Sequence, residues 1–152
     1  MKLVESSRIE GIKCVPLTAK NFSRYAKENL FKKMINFCLD NKGIGLAAPQ
    51  IGLFENFFIA FIDGRWQVFV NPEITKKTGE RESIEGCLSY PGLQVKTKRA
   101  SEVIVKASIA GKIYIYKYSG QDAAIIQHEC DHLNGVTIKT KLDNNEAVIK
   151  EK

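Results

Sequence analysis

The 152-residue chain contains only two histidines, His128 and His132, and its four cysteines, Cys14, Cys38, Cys87 and Cys130, form no C-x-x-C pair. That spacing supports neither a disulfide framework nor a paired-cysteine zinc module. In a reducing compartment the cysteines are thiols or metal ligands. Long apolar runs are missing as well. The longest, Phe57-Phe58-Ile59-Ala60-Phe61-Ile62, falls far short of the roughly 20 residues that a membrane-spanning helix needs, so no membrane partner is expected. The opening Met1-Lys2-Leu3-Val4-Glu5-Ser6-Ser7 has no apolar stretch of signal-peptide length, and the expected location is the cytoplasm. No internal repeat, low-complexity tract or Pro/Gly/Ser linker divides the sequence, which predicts one domain over 1–152.

The composition is ordinary for a globular chain, 44% apolar and 26% charged. Lys and Arg number 23 against 17 Asp and Glu, a net charge of +6. These cations are spread along the chain rather than gathered in a block, so no nucleic-acid partner is expected.

Apolar residues at 22, 26, 30, 34, 37 and 38 keep helical spacing and predict one long N-terminal helix over 22–40, with Gly43 as its stop. Segments 56–63, 67–70, 102–108 and 112–118 are short and rich in β-branched and aromatic residues. They predict antiparallel strands, with turns at Asp63-Gly64 and Ala110-Gly111. Ser119-Gly120-Gln121-Asp122 has the form of a capping box and opens a second helix that runs to about residue 134, where Gly135 supplies the stop. The polar tail, 139–152, is expected to be loosely docked.

The second helix carries His128-Glu129-Cys130-Asp131-His132, an H-E-x-x-H sequence. Residues four apart share a helix face, so both imidazoles can hold one cation while Glu129 reaches a water on it. A catalytic cation usually has three protein ligands. No further histidine exists, so the third must be sulfur or oxygen. Cys130 lies nearly on the opposite side of the helix from His128. Glu146 and Glu151 are downstream carboxylates in the weakly patterned tail, and Cys87 sits in Glu85-Gly86-Cys87-Leu88-Ser89-Tyr90-Pro91-Gly92, a stretch that reads as a loop able to carry a thiolate to the cation. In Gly43-Ile44-Gly45-Leu46-Ala47-Ala48-Pro49-Gln50, the glycines beside Ile44 leave the backbone bare enough for another chain to lie against it, and Pro49 predicts an extended Ala48. Gln50 is then either surface decoration or a neutral amide donor for an oxyanion.

Together the segments 43–50, 85–89 and 127–135 resemble the three signatures of peptide deformylase, G-Φ-G-Φ-A-A-x-Q, E-G-C-L-S and Q-H-E-x-D-H-L-x-G with Φ apolar, in family order. The resemblance implies an α+β fold with antiparallel β-sheets surrounding a central H-E-x-x-H helix. It also implies a metal-dependent hydrolase that removes the N-terminal formyl group from formyl-methionyl peptides and releases formate. By the same resemblance Cys87, His128 and His132 are the metal ligands, Glu129 the acid/base, and Gln50 with the Leu88 amide the oxyanion donors. One divalent ion is implied, ferrous iron, with nickel, cobalt or zinc as substitutes. Ile44 and Gly86 would pair with the peptide backbone, and Ile125, His128 and Gly43-Ile44-Gly45 would enclose the methionine.

Two departures stand out. Longer bacterial members continue into a C-terminal helix that docks on the ribosome, and the short stretch after Gly135 argues against that partner by this route; the short form looks like bacteriophage-encoded deformylases. Many bacterial members also carry an arginine soon after the second motif, where this chain has Gly92-Leu93-Gln94-Val95, so contacts beyond the first residues of the peptide are expected to differ.

Overall fold

A computed structural model describes residues 1–109 and 111–150. Ala110, and with it the expected Ala110-Gly111 turn, lies outside the described residues, as does Glu151. The fold is α+β. Five antiparallel strands form one sheet in the order β1 (Gly45–Ala47), β2 (Phe57–Ile62), β3 (Arg65–Thr78), β6 (Glu102–Ile109) and β7 (Lys112–Ser119). A second antiparallel sheet contains β4 (Arg81–Cys87), β5 (Tyr90–Arg99) and β8 (Ala147–Ile149). Between them runs α3 (Gly120–Leu133), which contacts strands of both sheets.

The apolar run in β2 follows from burial on both faces. Phe58, Ala60 and Ile62 face a core shared with Ala123, Ile126, Cys130 and Leu133 of α3. Phe57 and Ile59 face a second core built with Tyr25, Met34 and Cys38 from the N-terminal helices. Alternation puts successive side chains on opposite faces, so a strand with helices on both sides is apolar throughout. Each such large side chain contributes about 1.5–3 kcal/mol on burial.

The single long N-terminal helix is two helices, α1 (Ala19–Lys27) and α2 (Leu30–Asp40), separated at Asn29, which adopts a left-handed conformation at φ 57°. Asparagine tolerates that region better than most residues. Both helices turn their apolar side to the same core, so the helical spacing survives the break. The left-handed residue after α2 is Lys42 rather than Gly43. Gly43 has a different reason to lack a side chain, because a Cβ there would lie 2.8 Å from the Leu88 side chain.

Three further expectations are corrected. β3 extends well past residue 70, through polar, largely exposed residues and two register shifts. Ser119 makes no side-chain cap on α3, and Asp122 Oδ2 accepts from the Asp63 amide at 3.2 Å instead. The tail expected to be loosely docked forms α4 (Ile138–Asp143) and β8, whose Ala147 and Ile149 pair with Thr97 and Val95. Glu146, a candidate third ligand, faces Lys141 at 3.8 Å.

Gly135 ends α3 at φ 76° as expected, and it is also a close approach. A Cβ on it would lie 2.5–2.8 Å from the backbone of Gly11 and Ile12. The Gly11 amide donates to Gly135 O at 2.9 Å and the Cys14 amide to Leu133 O at 2.9 Å, so the N-terminal segment is laced to the exit of the helix.

Candidate active site

β4 and β5 form a hairpin in which Cys87 pairs with Tyr90 across the two-residue turn Leu88-Ser89. Cys87 therefore ends a strand and is not in a free loop. Across from it, His128, Glu129 and His132 lie on the buried side of α3. His128 Nε2 is 3.2 Å from His132 Nε2, which is 3.5 Å from Cys87 Sγ. Ligand atoms of the three residues all lie within 4.8 Å of one another. A tetrahedral cation bound at ~2.0–2.3 Å requires donor separations of about 3.3–3.6 Å, so the donor set fits one divalent ion. Cys130 points away into the core, where burial pushes its thiol up to about 12.

Charge around the cluster fixes its orientation. Glu85 Oε1 accepts from His128 Nδ1 at 2.8 Å, which leaves Nε2 directed at Cys87 and His132. Arg99 grips the same carboxylate with two bonds, Nε to Oε2 at 2.8 Å and Nη2 to Oε1 at 2.7 Å, and reaches Asp131 Oδ2 with Nη1 at 2.5 Å. Burial alone would raise the Glu85 pKa, but the bonds from Arg99 and His128 outweigh it and hold the carboxyl well below its ordinary range. The same carboxylates keep Arg99 charged despite its burial. Gln127 locks α3 to the end of β5, accepting from the Ala100 amide and donating to its carbonyl, both at 3.0 Å.

Glu129 is 4% exposed, and Oε1 has no hydrogen-bond partner among the described residues. Burial pushes its carboxyl up to about 7, against the opposing pull of His128. A carboxyl poised near neutrality both takes and returns a proton readily. Space for it comes from Gly45, where a Cβ would lie 2.5 Å from Glu129 Oε2. The glycines of the first motif thus clear room for this protein's own Glu129 and Leu88 rather than only for an incoming chain.

Gln50 is buried, not surface decoration. Its Oε1 accepts from the Ala47 amide at 2.9 Å, which turns Nε2 toward Ser89 Oγ at 2.9 Å and Cys87 Sγ at 3.6 Å. It is the third residue of a 3₁₀ turn, Ala48–Ile51, so Ala48 is helical there and the extended residue is Ala47. Gly86 has no partner in the β4–β5 register, which shifts between Glu85 and Cys87.

Apart from His132, every residue singled out from the motifs lines one cleft of about 840 Å³: Gly43, Ile44, Gly45, Gln50, Gly86, Cys87, Leu88, Ile125, His128 and Glu129. Sequence reasoning gave no role to Ser89, Arg99 or Asp131. Ser89 and Asp131 stand inside the motifs, which was their only signal. Arg99 had none, because its partners are 14 and 32 residues away.

Comparison with known proteins gives the family of the chain. A family model described as polypeptide deformylase matches residues 12–148. The peptide deformylase of Dictyoglomus turgidum is 39% identical over 126 residues, 82% of each chain. Among solved structures, the peptide deformylase of Thermus thermophilus superimposes with a TM-score of 0.85 at 33% identity, covering 95% of this chain and 86% of that one. The PDF of a Vibrio parahaemolyticus bacteriophage does so with a TM-score of 0.80 at 31% identity, covering 90% and 99%. The chain belongs to the polypeptide deformylase family, metal-dependent enzymes that remove the N-terminal formyl group from nascent peptides.

Proposed function

We propose that deformylation in this chain uses one ferrous ion held by Cys87, His128 and His132, with Glu129 moving the protons and Gln50 and the Leu88 amide receiving the charge that develops on the formyl oxygen. The observation that carries this reading is the meeting of three donor atoms, 3.2 and 3.5 Å apart, beside a buried carboxylate with one oxygen unpartnered among the described residues. Mixed thiolate and imidazole donors also accept nickel, cobalt and zinc.

When bound, such an ion acidifies a water and polarises the carbonyl under attack. Glu129 Oε1, free of other hydrogen bonds among the described residues, accepts the proton of the attacking water. Negative charge then grows on the formyl oxygen. One N–H of Gln50 is engaged by Ser89, and the other, near Cys87 Sγ, turns to that oxygen together with the Leu88 amide. Collapse breaks the bond between the formyl carbon and the methionine nitrogen. Glu129 returns its proton to the departing amine, and formate and a free N-terminus leave.

Ile44 and Gly86 flank the cleft as main-chain partners of the peptide, while Ile125, His128 and Gly43-Ile44-Gly45 enclose the methionine side chain. The site of action is the cytoplasm, on nascent formyl-methionyl chains. No described helix is long and apolar enough to cross a membrane. The described residues after α3 fold back as α4 and β8.

Formate release from formyl-Met-Ala, measured anaerobically with added ferrous iron, tests the reading. Iron-dependent turnover is expected. Hydrolysis of an internal amide in a non-formylated peptide, without formate release, would replace it with an endopeptidase.

A further inference from the structure

β8 does more than finish the smaller sheet. Its Ile149, and Lys150 immediately after it, line the substrate cleft. The Lys150 amide donates to Gln94 O at 2.9 Å, extending the β5–β8 ladder and fixing the residue's backbone beside β5. Lys42, in the turn that follows α2, also lines the cleft.

Among the described residues, the charge lining this cleft is one-sided. Among the described residues, the only carboxylates lining the cleft are Glu85, held by Arg99, and Glu129, 4% exposed inside the site. Neither Lys42 nor Lys150 forms an ion pair among the described residues. The same cleft is lined by three exposed isoleucines, Ile44, Ile84 and Ile149, at 47%, 49% and 62% exposure. Apolar lining of this kind suits the body of an extended peptide, and cations lining the same cleft select the charge that the peptide carries.

We infer that Lys150 and Lys42 make this deformylase prefer formyl-methionyl peptides that bring a carboxylate to the second or third residue. This inference rests on the deformylase reading above. The carboxylate belongs either to an acidic side chain or to the free C-terminus of a short peptide, and both present the same group to the ammonium ions. The interaction forms before and during the reaction alike, so it acts on KM rather than kcat. Partly exposed pairs are modest, and two of them together give about a threefold to tenfold preference at low salt, shrinking as salt screens them.

The test compares four substrates with the iron-loaded enzyme: formyl-Met-Ala-Glu-amide, formyl-Met-Ala-Lys-amide, formyl-Met-Ala-Ala-amide and formyl-Met-Ala-Ala with a free carboxylate. The glutamyl peptide is expected to have the lowest KM among the amides, and its advantage over the lysyl peptide should fall toward one in Lys150→Ala and reverse in Lys150→Glu. A low KM for the free acid as well assigns the preference to carboxylates in general; a low KM for the glutamyl amide alone assigns it to the side chain. Calorimetry of the product peptides Met-Ala-Glu-amide and Met-Ala-Lys-amide ranks binding independently of turnover. Absence of formate release with that ranking intact removes the deformylase reading and leaves the cationic mouth in place. Equal KM values and equal binding for the acidic and basic peptides, or a preference unchanged in Lys150→Glu, overturn the inference.

Discussion

Gly45 and Glu129 occupy one space: a Cβ on the glycine would lie 2.5 Å from the carboxylate oxygen Oε2. A methyl group at position 45 therefore moves the one group assigned to proton transfer. Gly45→Ala is expected to keep its metal and its fold while kcat falls at least about tenfold, approaching Glu129→Ala, for which a loss of about 10²–10⁴-fold is expected. Metal content and steady-state kinetics on one preparation of each variant check this. Full activity in Gly45→Ala would mean that Glu129 has another resting position.

The cysteines separate by location. Cys87→Ser is expected to lose tight metal binding, because its sulfur is one of the three converging donors. Cys130→Ser keeps the metal, since that thiol is packed in the core on the far side of α3. Metal analysis after gel filtration decides, and equal stoichiometry in wild type and Cys87→Ser would reject the thiolate ligand.

Gln50 holds the Ala47 amide with one end and offers donors at Ser89 and Cys87 with the other. Gln50→Ala should lower kcat more than it raises KM, by up to the roughly 2.7–4 kcal/mol lost when such a donor is removed elsewhere. Gln50→Glu keeps the Ala47 bond but faces Cys87 Sγ with an acceptor, and at neutral pH it should be worse than alanine. Comparable kinetics for all three proteins at matched metal content would leave stabilisation of the charge to the Leu88 amide and the ion.

Among the described residues, Arg99 is the only cation bound to the buried Glu85 carboxylate apart from what His128 supplies. Arg99→Leu strands that carboxylate and is expected to destabilise the protein by about 3–5 kcal/mol, lowering the thermal midpoint by roughly 10 °C. The double variant Glu85→Gln/Arg99→Leu should recover part of the loss while binding metal more weakly, because His128 no longer has a charged partner. Thermal unfolding and metal titration of the three proteins provide the comparison.

What the sequence revealed depended on how local each relationship is. The pair His128 and His132 was legible because helix geometry alone brings positions four apart together. The run from Phe57 to Ile62 was legible as a strand because every residue in it is apolar or β-branched. The continuation of β3 through Lys76, Lys77 and Thr78 was not legible, since its exposed polar side chains carry no alternation and backbone pairing with β6 alone defines it. The break at Asn29 was hidden because the helices on either side share one core. Tail residues 147–149 looked like solvent-exposed chain, because their order comes from β5, some fifty residues earlier. Gln50 could be read two ways until Ala47 and Ser89 were seen at its two ends.

The lacing of Gly11 and Cys14 onto the end of α3 bears on how the protein opens. Amides near a chain terminus ordinarily exchange with solvent through local fraying. Here the Gly11 and Cys14 amides are bonded to the carbonyls of Gly135 and Leu133, at the end of the helix that carries both histidines. Their exchange requires those two bonds to break, so protection of the Gly11 and Cys14 amides reports how firmly this amino-terminal stretch is docked on the end of the catalytic helix.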